Sequence, residues 1–341
     1  MKRNSRKLKT SGWVLSVLFV CLALVLTGCG NKQKTTQIGP NAAMGPPPMT
    51  FGDKFYDVAA SDKDHVWAVG YFGAITHSSD GGKTFTRQQA GTMNALTGVF
   101  FINSKEGWIV GDLGTILHTN DGGLKWEPQK SPVTDQKLLK VQFLSEKEGF
   151  AIGTFGVVLA TKDGGITWNR LPFKDDITLN DLFFFNPREG YIAGEFETIL
   201  HTMDGGATFQ KQHGDQLGQL FGIAFKDKKG IAVGTAGKVL ITSDGGSWKE
   251  VKSVTDDTLL KVKFIDSKAI AIGLRGAVIT SDNGQDWSPE VIPGHYSWLS
   301  GVAFIENVGY LVGGEGKILA TNDSGKTWTR LGFAPPVGHK E

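Results

Sequence analysis

Seven carboxylates recur along this chain at a nearly constant interval. Asp80, Asp121, Asp163, Asp204, Asp244, Asp282 and Asp323 are separated by 41, 42, 41, 40, 38 and 41 residues, each in an Asp-Gly-Gly-like turn with an aromatic residue shortly after it. Paired carboxylates are the groups that cleave glycosidic bonds. Three histidines also share one offset, His77, His118 and His201, each three residues before the Asp of its repeat, and imidazole is a common metal ligand. The spacing argues against both chemistries. Equivalent carboxylates on the outer hairpins of a ring cannot converge on one substrate. Histidines in repeats one, two and four belong to units that are not mutually adjacent. No catalytic residue, no metal site and no cofactor is therefore expected.

A period near 40 residues, carried through most of a chain, signals a propeller or solenoid. The second repeat shows the elements most clearly: an apolar run at Leu96–Phe101, a second at Gly107–Gly111, then Thr115-Ile116-Leu117-His118-Thr119 and Lys125-Trp126-Glu127. Each run is strand-length, rich in β-branched or aromatic residues, and bounded by Gly, Asn, Asp or Ser. Four antiparallel strands per repeat make one blade, so the fold expected is all-β, a seven-bladed β-propeller. The innermost strands fall at 139–143, 182–185, 221–225, 260–264 and 299–304, with Phe55 starting the first. Glycine pairs such as Gly70 and Gly73, Gly111 and Gly114, or Gly153 and Gly156 bracket two-residue loops, where positive φ is expected of glycine. The fourth repeat reads Gly194-Glu195-Phe196-Glu197, which predicts a looser or differently shaped loop.

The termini carry separate signals. Residues 1–28 read as a lipoprotein signal peptide, with Lys2, Arg3, Arg6, Lys7 and Lys9 preceding an apolar run at 13–26 that is too short to span a bilayer comfortably. The run ends in Leu26-Thr27-Gly28-Cys29, which resembles the lipobox of bacterial lipoproteins and marks Cys29 for lipidation. Residues 29–50, rich in polar residues and ending near Gly45-Pro46-Pro47-Pro48, read as a flexible tether. The propeller is expected over 51–334 and a short tail over 335–341. Gly30 after the cysteine favours the outer membrane, on the periplasmic side, if the source has two membranes. Removing the five basic residues of the signal leaves 31 Lys and Arg against 34 acidic residues, a net charge of −3. No basic run points to nucleic acid.

The turns from Ser79 to Phe85, Asn120 to Trp126, Lys162 to Trp168 and Asn322 to Trp328 look like Asp-boxes, the hairpin motif of sialidases and of many non-enzymatic propellers. The Asp accepts hydrogen bonds from its own turn and the aromatic closes over the hairpin. A sialidase needs three convergent arginines. Residues 51–334 hold only Arg87, Arg170, Arg188, Arg275 and Arg330, three of them just after Asp-boxes. A carboxylate-pair glycosidase or a glycan-binding module stays as the alternative, with Asp175, Asp176, Asp181, Asp256 and Asp257 as carboxylates near the axis.

The recurring unit Gly-x-x-Gly-x-Ile/Val-Leu-x-Thr-x-Asp-Gly-Gly-x-Thr-Trp, as in Gly111 to Trp126 and Gly153 to Trp168, resembles the photosystem II stability/assembly factor family, over about residues 51–332. The resemblance implies a seven-bladed propeller without catalysis that assists assembly in photosynthesis by binding a reaction-centre subunit. The family's arginine patch, with Arg common just before the Thr of the unit, is replaced here by His77, His118, Ala160, His201, Ile241, Ile279 and Ala320. What carries over is the fold and a scaffold role toward an unidentified membrane or envelope protein, for a monomer held to the membrane by its lipid anchor. The partner surface is expected where second-to-third-strand loops and blade-to-blade loops share a face: Tyr71, Phe72, Asp112, Leu113, Phe155, Glu195, Phe196, Arg275 and Glu315. Apolar residues at the tips of tight hairpins are costly to leave in water, and contiguous ones suggest an interaction site.

Overall fold

The computed structural model describes residues 52–292 and 297–331. Cys29, the tether, the tail and the loop residues Pro293 to Tyr296 lie outside them. Twenty-eight strands, β1 to β28, form seven four-stranded antiparallel sheets, each built from four consecutive strands. In the first blade these are β1 (Phe55–Ala60), β2 (Val66–Gly70), β3 (Ile75–Ser78) and β4 (Thr86–Gln88). The innermost strands of the next six are β5 (Leu96–Phe101), β9 (Leu138–Phe143), β13 (Leu179–Phe184), β17 (Leu220–Lys226), β21 (Leu259–Ile265) and β25 (Leu299–Ile305). Each packs beside the next and β25 packs beside β1, so the sheets close a ring, a seven-bladed β-propeller. The second strand of every blade is buried along its length apart from its first residue in the last three blades, Lys229, Lys268 and Val308, which explains its near-continuous apolar sequence.

Among the described residues no strand is shared across the closure. The last blade ends in β28 (Thr329–Leu331), and four contacts join it to the first: Ser300 donates to the Phe55 carbonyl at 2.9 Å, Tyr310 to the Lys63 carbonyl at 3.3 Å, Lys63 pairs with Glu306 at 2.6 Å, and the Gly316 N–H donates to the Asp53 carbonyl at 2.6 Å.

Neighbouring blades are wedged by aromatic pairs. Trp67 stacks on Phe101 with ring centroids 3.6 Å apart, and Trp108 on Phe143 at 3.5 Å. The phenyl rings need bare backbone beneath them, since a Cβ on Gly107 would sit 2.4 Å from Phe101. The junction of the fifth and sixth blades departs from this. Ile231 replaces the stacking aromatic and Ala269 stands opposite Phe264 where Gly107 stands opposite Phe101. A cleft of about 730 Å³ opens there, bordered by Ile231, Phe264 and Trp248.

The three equivalent histidines are part of the same wedges. His77 stacks on Trp67 with centroids 4.4 Å apart, His118 on Trp108 at 5.1 Å and His201 on Tyr191 at 4.2 Å. Burial, followed by the nearby His65, lowers His77 to about 4, so it is neutral at pH 7. Among the described residues no group of three His, Cys, Asp or Glu side chains converges as a metal site would require.

Candidate functional site

The Asp turns lie at the end of the ring where first strands meet second strands. Each third strand ends in a buried hydroxyl that frames the turn: Ser78, Thr119, Thr161, Thr202, Thr242, Ser281 or Thr321. In the second blade the Thr119 hydroxyl donates to Asp121 at 2.8 Å and accepts the Gly123 N–H at 2.8 Å, while Asp121 accepts the Lys125 N–H at 3.0 Å. Asp80, Asp163, Asp204 and Asp323 bond their turns likewise. Asp244 accepts closer N–H groups, from Gly246 and Ser247, because its hairpin is one residue shorter.

The sixth turn corrects the sequence assignment. The acceptor always stands two residues after the framing hydroxyl, and after Ser281 that residue is Asn283, which accepts the N–H groups of Gln285 and Asp286 at 2.8 Å each. Asp282 points outward and pairs with Lys268 at 3.2 Å.

The opposite end carries the tips between second and third strands. Every tip is a tight turn closed by a hydrogen bond of 3.0–3.3 Å, for example from the Thr115 N–H to the Asp112 carbonyl. Both central residues have positive φ, the requirement of a type I′ hairpin. The first is never glycine: Phe72, Leu113, Phe155, Phe196, Ala236, Arg275 and Glu315 have φ between 52° and 59°. The second is Gly114 in the second blade, and in the fourth blade it is Glu197, at φ 53°. Two expectations are corrected here. The fourth loop has the same turn as the others, closed from Thr198 to Glu195 at 3.1 Å, with Glu197 accepting the left-handed backbone. Gly111, at φ −170°, is extended, and its role is room: a Cβ there would lie 2.2 Å from the Ala95 carbonyl oxygen of the entering loop.

These seven equivalent tips form an internal comparison. Ala236 shows that the turn needs no large side chain. Nevertheless blades one to four carry Phe72, Leu113, Phe155 and Phe196, which are 58%, 59%, 58% and 52% exposed. The rings do not fold back between blades. A bulky residue held at positive φ costs on the order of 1 kcal/mol or more and leaves its apolar surface in water. Blades five to seven carry Ala236, Arg275 and Glu315 instead, so the apolar tips form an arc over four consecutive blades.

The same face shows how its other residues are held. Tyr71 lies against Phe72 with centroids 4.0 Å apart, and Lys54 lies 5.6 Å above the Tyr71 ring. Asp112 pairs with Lys137 at 3.2 Å, Arg275 with Asp257, and Glu315 with Lys317 at 2.8 Å. Glu195 accepts the Thr178 N–H at 2.6 Å, which ties that tip to the entering strand. Met93, Leu217 and Val254, exposed on blade-to-blade loops, add apolar surface to this end that was not picked out from sequence. Their loop positions lack the periodic offset that drew attention to the tips.

The axis of the ring holds a charged network that the sequence pattern also hid. The equivalent positions on successive innermost strands read Asp57, Gly98, Lys140, Asp181, Gly222, Lys261 and Gly301. Lys140 reaches Asp57 at 2.7 Å and Lys261 reaches Asp181 at 3.3 Å, each across an intervening glycine blade. Each carboxylate also accepts a backbone N–H, Val99 on Asp57 at 3.1 Å and Ile223 on Asp181 at 3.2 Å. Of the carboxylates proposed near the axis, only Asp181 lines it, and its lysine and N–H partners already engage it. Asp175 and Asp176 are exposed on a blade-to-blade loop. Arg87, Arg170 and Arg330 stand on outermost strands, as their position after the turns implies.

A family model described as "Photosynthesis system II assembly factor YCF48" matches residues 88–178, 171–252 and 246–337. Among solved structures, "YCF48 bound to D1 peptide" is similar with a TM-score of 0.68 at 21% identity, over 82% of this chain and 95% of that one. YCF48 from Cyanidioschyzon merolae follows at 0.66 and 19%, over 81% and 97%. A GH74 xyloglucanase from Xanthomonas campestris reaches 0.68 at 13%, over 84% of this chain but 54% of that one. At such identities these structures speak for the fold alone. No curated protein matches the sequence.

Proposed function

This chain belongs to the photosynthesis system II assembly factor YCF48 family, and from that premise we propose that it is a non-catalytic scaffold that holds a membrane or envelope protein during assembly. The observation that carries this reading is the arc of Phe72, Leu113, Phe155 and Phe196, large apolar side chains kept in strained, exposed turns where alanine suffices elsewhere in the ring. Such a surface gains by covering apolar segments of a partner, and its rigid hairpins lose little freedom on binding. A solved relative is a YCF48 bound to a D1 peptide, which supports a peptide segment as the element held. The Leu26-Thr27-Gly28-Cys29 sequence supports lipidation at Cys29, which would keep the body at a membrane surface in the cell envelope.

The test is crosslinking in membranes containing the full-length protein, followed by detergent solubilisation and recovery of partners. The combined Phe72→Ser, Phe155→Ser and Phe196→Ser variant is expected to fold with an unchanged or higher melting temperature and to lose the crosslinked partner. Equal recovery from the variant rules out this face as the docking surface. A Cys29→Ala variant should leave the membrane fraction.

A further inference from the structure

The junction of the fifth and sixth blades lacks two closures that its counterparts have. Between the first two blades Trp67 fills the wedge, and the Trp67 indole and the Gln88 amide both donate to the Gly122 carbonyl, at 3.1 and 2.8 Å. Trp108 and Gln129 repeat this on the Gly164 carbonyl at the next junction. In the fifth blade the corresponding residues are Ile231 and Val251, neither of them a side-chain donor. The Gly284 carbonyl accepts instead from the indole of its own hairpin, Trp287, at 3.2 Å. Ile270 in the sixth blade is aliphatic as well, yet there Phe304 lies over the bare Gly309, where a Cβ would meet the ring at 2.2 Å. Ala269 denies Phe264 that position, and Phe264 stays half-buried. The cleft of about 730 Å³ opens where the stacked ring is missing.

The cleft has an apolar wall and a cationic rim. Ile231 and Ile241 stand side by side on the wall, and Phe264 of the sixth blade packs against the same cluster. Lys226, Lys228, Lys229 and Lys249 are exposed around the opening, and none has an ion pair among the described residues. Of the acidic residues on the same rim, Asp244 is engaged by its own turn and Asp282 by Lys268, which leaves Asp227. An apolar cavity of about 150 Å³ already admits a benzene ring. Four lysines against one uncommitted carboxylate attract a negative group. We propose that this cleft binds a small aromatic anion, its ring against Ile231, Ile241 and Phe264 and its acidic group among the lysines. An uncharged ring forgoes the lysines, and a bare oxyanion forgoes the apolar wall. The cleft opens at the Asp-turn end, so it is independent of the apolar tips and of any partner they hold.

Calorimetric titration of the full-length protein in nanodiscs of neutral lipid tests this, with empty nanodiscs as the blank and naphthalenesulfonate, naphthalenemethanol and methanesulfonate as probes. Naphthalenesulfonate is expected to bind at a single site, naphthalenemethanol about fivefold more weakly, and methanesulfonate without measurable heat. Ile231→Trp, which supplies the missing ring, should lower the affinity for naphthalenesulfonate about tenfold or more. Lys226→Met combined with Lys229→Met, on the exposed rim, should bring the two naphthalene probes to similar affinity, and it decides the matter if Ile231→Trp fails to fold. The combined Phe72→Ser, Phe155→Ser and Phe196→Ser variant should bind as the wild type does. Absence of heat from naphthalenesulfonate overturns the proposal, as does equal affinity for the charged and uncharged rings in the wild type. Undiminished binding by Ile231→Trp, or loss of binding in the serine variant, also overturns it, because either result places the probe outside the cleft.

Discussion

The Nζ of Lys140, in the third blade, lies 2.7 Å from the Oδ2 of Asp57, in the first, with Gly98 of the second blade between them. A Cβ on Gly98 would come within 3.1 Å of the Lys140 Cα. The pair is therefore a strut across the axis, made possible by a missing side chain. Asp57 is 2% exposed, so removing one partner strands the other charge away from bulk water. Asp57→Ala is expected to cost about 3–5 kcal/mol in guanidinium unfolding, whereas Asp57→Leu combined with Lys140→Met should cost far less. Equal losses in single and double variants would show that packing, not charge pairing, governs the position.

The turn tips offer a stability test that runs opposite to function. Phe155 holds φ 56° and is over half exposed, so the fold gains little from its ring and carries the strain. Asparagine tolerates that backbone better. Phe155→Asn is expected to raise stability by about 1 kcal/mol, and Leu113→Asn likewise, read as a higher melting temperature. Ala236→Asn should change less, because a smaller side chain is being replaced. A drop in melting temperature for Phe155→Asn would mean that the ring packs more than its exposure indicates.

Acid should loosen the ring at its Asp-turn end. Asp80, Asp204 and Asp323 are held at about 2, below the ordinary 3.8, first by the hydroxyl of the threonine four residues on, Thr84, Thr208 or Thr327. A carboxylate depressed in the folded state adds stability above its unfolded value and loses it as pH falls through the folded one. Stability is thus expected to be intact above pH 4 and to decline toward pH 2. Thr84→Val with Thr327→Val should shift the acid midpoint upward in a circular-dichroism titration. Superimposable acid transitions would show that these hydroxyls do not set it.

How much of this was legible in sequence depends on distance along the chain. The blades follow from a period near 40 residues, and the tips follow from being at a fixed offset within it. Asn283 escaped because the eye aligns aspartates, while the turn is framed by the hydroxyl of Ser281 two residues earlier. Gly111 suggested a bent backbone, yet what it accommodates is the Ala95 carbonyl sixteen positions earlier. Asp57 and Lys140 are 83 residues apart on blades that do not touch in sequence order, and no local pattern announces their meeting.

The closure without a shared strand has a further consequence for how the molecule is made. Each blade is a contiguous segment of about 40 residues whose strand pairing is complete within itself, so blades can be added in order along the chain, each burying its apolar face as the next one stacks on it. Only the seam between the last and first blades waits for the C-terminal strands. Its bonds are the side-chain contacts of Ser300, Tyr310 and Lys63 and one backbone bond, from the Gly316 N–H to the Asp53 carbonyl. The ring is therefore assembled like a row of tiles and latched last, and a chain restarted at any other blade boundary would specify the same circle.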